Sequence, residues 1–142
     1  MPMTKNPLNA YKETQIKTAG QGKLIIMLYD AAVRQVETAI HGLERGEAEL
    51  DSVNNALVKA QDVVTELMVS LDFDRGGEIA QSLFNLYMFF NRQMIEANIK
   101  KDAQPLKEIR DMLNELRDAW LQIVDNENAP DPADGGGLNI AG

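Results

Sequence analysis

The chain has 142 residues, 44% of them hydrophobic and 25% charged, a balance that reads as one folded domain rather than a disordered polymer. Its net charge of −8 argues against nucleic acid and anionic lipid as main partners, because both demand a basic surface. The absence of cysteine excludes a disulfide framework and a thiolate metal site and suits a reducing cytoplasm.

The start, MPMTKNPLNAYKE, shows no apolar signal-peptide core, and no apolar run approaches the ~20 residues of a membrane span, so a cytoplasmic protein without membrane insertion is expected. Residues 1–19 read as a polar N-terminal arm or short cap helix, with Leu8, Tyr11 and Ile16 as its apolar anchors. Because an aromatic in a polar arm needs somewhere to dock, Tyr11 is expected to pack on the body of the protein. Gly20 and Gly22 punctuate the chain, and a helical pattern starts at Lys23. Ile25, Tyr29, Ala32, Val36, Ala39 and Leu43 recur at three and four, marking one helix face, and Gly46 is placed to stop it. A second pattern follows in Val53, Leu57, Ala60, Val64, Leu67 and Leu71, broken by DFDRGG at 72–77. The third runs through Leu83, Tyr87, Phe90, Met94 and Ala97 and ends near Lys101. Asp102 is the expected N-cap of the fourth, with Pro105 in the first turn, where a missing N–H costs little. Leu106, Ile109, Leu113, Leu116, Trp120 and Ile123 form its apolar stripe, which places Trp120 in the core.

Four such patterns with short connections, and no β alternation of useful length, predict an all-α fold: an antiparallel up-down four-helix bundle over residues 20–126. The tail at 127–142, rich in Pro, Gly and acid, has the composition of a disordered end.

The third helix departs from this scheme. No charge occurs from Ile79 to Asn91, and Leu83, Phe84, Leu86, Tyr87, Met88, Phe89 and Phe90 leave no wide polar face. The fourth helix shows what one core needs: a narrow stripe backed by Lys107, Glu108, Arg110, Asp111, Glu115, Arg117 and Asp118. The third therefore requires a second apolar partner. Phe84, Met88, Phe89 and Ile95 are the candidates for its outer face. Val64, Met68, Leu71 and Phe73, at the end of the second helix, are candidates for the same groove, with core packing as their alternative. The second face is either a groove for another chain or a surface buried in a homodimer.

Reaction chemistry is thinly represented. GQGK at 20–23 fails the phosphate-loop pattern twice, since Lys17 stands at the first glycine and Leu24 at the hydroxyl residue. His41 is the one histidine, so a bundle di-iron site with paired Glu-x-x-His motifs is excluded. No catalytic, cofactor-binding or metal-binding residue is assigned, and no enzyme activity is expected.

Five stretches, NAYKET at 9–14, KLIIMLYDAAV at 23–33, KAQDVVTELMVSLD at 59–72, LYMFFNRQMIEANIKKD at 86–102 and LRDAW at 116–120, resemble in order and spacing the flagellin-export chaperone family FliS. The resemblance implies a cytoplasmic four-helix bundle that binds the C-terminal segment of flagellin, prevents early polymerisation and hands the client to the flagellar type III export apparatus. It also implies that the client wraps along the bundle and that the N-terminal arm can cover part of the same surface. Independently of the resemblance, an empty apolar groove is able to pair with itself, so self-association in the absence of client is an alternative use of the surface. The chain departs from the family pattern at Gly20–Lys23, where Ser-Pro-Glu-Glu is frequent. It departs again at Met88 and Phe89, where an acidic residue and a tyrosine are usual. The last two changes make the third helix more apolar.

Overall fold

A computed structural model describes residues 7–46 and 49–128, with side chains described for 21–46 and 49–126. Within them the chain forms four helices: α1 (Pro7–Arg45), α2 (Leu50–Val69), α3 (Phe73–Lys100) and α4 (Gln104–Asn128). Pro7 opens α1, at the position where its missing N–H is no loss. Counted from Pro7, the 39 residues of α1 make a rod about 58 Å long.

The first helix therefore begins sixteen residues before the expected Lys23 and runs through Gly20 and Gly22. Gly22 does not mark a turn. A Cβ there would lie 2.6 Å from Cγ2 of Val124, so the glycine lets α1 and α4 approach closely. Gly42 does the same between α1 and α2, where a Cβ would meet Cγ2 of Val53 at 2.6 Å. From Pro7 onward the expected arm is backbone of α1; the side chains of Leu8, Tyr11 and Ile16, and the tail from residue 129, lie outside the described residues.

Gly46 stops α1 with φ +97, a left-handed conformation that glycine adopts without a Cβ clash. The break at 72–77 is narrower than its sequence suggests. The Asp72 carboxylate accepts from the Arg75 backbone N–H at 3.1 Å and caps a single turn, Phe73–Gly76. Gly77, at φ 51 and ψ −122, then interrupts α3 before the helix resumes. At the other end of α3, Lys101 caps the helix in the left-handed region, and the Asp102 carboxylate accepts from the Gln104 N–H at 3.0 Å to open α4.

The core is built from the periodic positions of all four helices: Tyr29 and Val36 of α1, Leu57 and Val64 of α2, Phe90 and Met94 of α3, and Leu106 and Leu113 of α4. Leu43, Leu71, Leu83, Leu116 and Trp120 are half-buried against it. Two ion pairs tie α4 to α1, Lys107 to Glu44 at 2.8 Å and Arg117 to Asp30. With the Gly22–Val124 approach, these contacts run in opposite order along the two helices. Glu44 is held below its ordinary carboxylate range by the hydrogen bond and charge of Lys107, and Arg117 is raised by its bond to Asp30.

Candidate interaction surface

Tyr29 and Tyr87 meet inside the bundle, sharing a hydrogen bond of 2.5 Å between their hydroxyls with ring centroids 6.5 Å apart. Each satisfies the other's polar group, which makes tyrosine tolerable there. Burial pushes both hydroxyls above the ordinary tyrosine range, so the pair is neutral at physiological pH and serves as a structural clasp.

The outer surface of α3 follows from its angular order. Asn98 donates from its side-chain amide to Asn54 of α2 at 2.9 Å, which marks the flank of α3 that faces α2. At about 100° per residue, Phe84, Asn91, Ile95 and Met88 all fall within about 80° of Asn98, with Ile99 just beyond. The core residues Tyr87, Phe90, Met94 and Ala97 lie on the other side of that mark. On α2, Val58, Gln61, Thr65 and Met68 fall within about 40° of Asn54 by the same reckoning. The two helices thus present facing flanks, and these carry exposed apolar groups: Met88 is 40% exposed, Ile95 47% and Val58 48%. Phe73 is 46% exposed and packs edge-on against Phe84, ring centroids 6.0 Å apart, closing one end of the stripe. From Phe84 to Ile99 the stripe is about 22 Å long, four turns of helix.

Five of the eight candidates belong to this surface: Met68, Phe73, Phe84, Met88 and Ile95. The other three do not join it. Val64 has no exposed surface and is a core residue. Leu71 turns into a hollow at the end of the bundle. Phe89, though 37% exposed, lies about 100° beyond Met88, on the flank of α3 away from α2, and rests against Phe90. Sequence reasoning missed Val58 and Ile99. Ile99 was legible as the continuation of Ile95 by one turn, whereas Val58 lies outside the core stripe of α2 and carries no periodic signal.

The hollow that takes Leu71 has a volume of about 520 Å³ and lies between the start of the described part of α1, the start of α3 and the end of α4. Ile25, Leu83, Tyr87, Trp120 and Ile123 line it. Trp120 is thus half in the core and half in this hollow. His41 is exposed beside a smaller polar hollow of about 230 Å³ near Arg45 and Glu49. Among the described residues, no group of three or more His, Cys, Asp or Glu is placed to hold a metal ion, and no helix is long and apolar enough to cross a membrane.

A helical bundle that leaves a stripe of large apolar side chains uncovered belongs to the class of proteins that work by binding another chain. Residues 4–127 match the family described as flagellar protein FliS, and the chain belongs to that family. The flagellar secretion chaperone FliS of Bacillus subtilis (strain 168) is 32% identical over 131 residues, covering 92% of this chain and 96% of that protein. The protein of the same name from Salmonella typhimurium is 35% identical over 112 residues, 78% of this chain and 82% of its own length. That from Vibrio cholerae is 31% identical over 120 residues, 82% of this chain and 87% of its own.

Proposed function

We propose that this FliS-family chain is a flagellar secretion chaperone of the cytoplasm. In this reading it binds the C-terminal segment of flagellin, blocks premature polymerisation and presents the client to the flagellar type III export apparatus. The observation that carries the reading is the stripe along the α2–α3 flank, where Phe73, Met88, Ile95 and Ile99 are exposed and Phe84 is half-buried between them. Its length of about four helical turns suits an amphipathic segment laid in a groove. Its side chains suit an adaptable contact, because methionine conforms to irregular partners. No charge occurs from Ile79 to Asn91, so apolar burial is the stabilising contribution along that part of the stripe.

Calorimetry with flagellin from the same organism tests the reading. A 1:1 complex is expected with a strongly negative heat-capacity change, since ordering and burying such a segment removes on the order of 1,000–3,000 Å² from water. Flagellin truncated before its C-terminal segment should not bind; undiminished binding of the truncated form rejects the assignment. An obligate dimer that flagellin does not dissociate would instead assign the stripe to a homodimer interface.

A further inference from the structure

We propose that the hollow at the end of the bundle is the docking site for the chain's own C-terminal segment, with Leu138 and Ile140 inserted between α1, α3 and α4. Ile25, Leu83, Tyr87, Trp120 and Ile123 give the hollow an apolar lining, and Ile79, which also lines it, is 71% exposed. It is separate from the α2–α3 stripe, so client binding as proposed above does not account for it.

Three observations select the occupant. First, α4 delivers the chain there. Asn128 is five residues, or about 7.5 Å of helix, past Ile123 in the wall of the hollow. The nine residues 129–137, APDPADGGG, reach up to ~30 Å, which exceeds the roughly 10 Å from the α4 axis to a neighbouring helix. Second, Leu138 and Ile140 are the large apolar side chains beyond Asn128, and their spacing of two puts both on one side of an extended segment. Third, the rim carries Arg75, opposite in sign to Asp131 and Asp134 of the connecting segment; the other charged rim side chain, Asp72, is engaged in capping the first turn of α3. Residues 7–20 are a poorer occupant, since their backbone is committed to α1 and would have to leave that helix to turn back.

Tethering makes a two-residue anchor sufficient. A short tether supplies an effective concentration in the mM range, so even a contact of mM intrinsic affinity is made for about half the time or more.

The chain provides its own reporter, because Trp120 is the single tryptophan and lines the hollow. Acrylamide quenching of Trp120 fluorescence would be compared in the full chain, in the double variant Leu138→Asp/Ile140→Asp, and in the apolar control Leu138→Met/Ile140→Val. Flagellin is absent throughout, so the outcome is independent of the client assignment. Loss of docking should raise the quenching constant of the Asp variant about twofold and shift emission to the red, leaving the control unchanged. Hydrogen exchange at residues 71–83 should quicken in the same variant. Equal quenching in all three proteins overturns the proposal. So does quenching that falls with protein concentration identically in all three, which would assign the hollow to a second copy of the chain.

Discussion

Replacing Met88 by glutamate separates the two roles that α3 combines. In the free protein Met88 is 40% exposed, so a carboxylate there remains in water. Arg92, one turn later, is placed to pair with it, worth about 0.2–0.5 kcal/mol in a helix. The net change in folding stability should stay within about 0.5 kcal/mol, or about 2 °C in Tm for a chain of this size. Binding is a different matter. Fully burying a methionine contributes about 1.5–3 kcal/mol, so the 40% still exposed is worth about 0.6–1.2 kcal/mol when a client covers it. Leaving a buried carboxylate without a full set of partners adds about 1–3 kcal/mol. Together these predict a loss of about 2–4 kcal/mol, or about 30- to 1,000-fold in Kd for the flagellin segment. The assay is a pair of measurements on one variant, a thermal melt and a binding isotherm. Phe90→Ala is the opposite control: Phe90 has no exposed surface, so its truncation should cost about 3–5 kcal/mol of folding stability. A melt that collapses in Met88→Glu, or a Kd that does not move, refutes the placement of Met88 on a client-facing flank.

Gly22→Ala should destabilise the bundle by overpacking, about 1–3 kcal/mol, partly offset by about 1 kcal/mol of helix propensity, because its Cβ would meet Val124 at 2.6 Å. Adding Val124→Ala should recover the overpacking loss in a double-mutant cycle, and additivity within about 0.5 kcal/mol would show that the two positions do not touch. The buried Tyr29–Tyr87 pair predicts an alkaline limit. Their raised folded-state values mean that the fold keeps protons the unfolded chain gives up, so stability is intact below the unfolded value near pH 10 and falls above it. The fall should be about 1.4 kcal/mol per pH unit for each tyrosine, and denaturant titrations should show the slope halved in Tyr87→Phe; an unchanged slope would remove the pair as its cause.

The periodic apolar positions were legible from sequence because helical spacing is a local property. Tyr29, Val36, Leu57, Phe90, Met94 and Leu113 are core residues whose three- and four-residue spacing is visible without coordinates. The excess of apolar residues on α3 was legible too, since a helix without a charge from Ile79 to Asn91 cannot be covered by one core. What the sequence left open was direction. A helical wheel orders side chains about their own axis but does not say where the neighbouring axes lie. Only the packing of α2 against α3, marked by Asn54 and Asn98, puts Met88 and Ile95 on one flank and Phe89 on the other. The same limit applies to Val64 and Met68, four residues apart, of which one is sealed in the core and the other edges the stripe. Gly22 shows the limit for backbone: glycine is chosen for a turn and for close helix contact alike, and only Val124 across the interface decides between them. The hollow at the end of the bundle is the least local feature, because its wall is assembled from Ile25, Leu83 and Trp120, residues of three helices that no spacing rule connects.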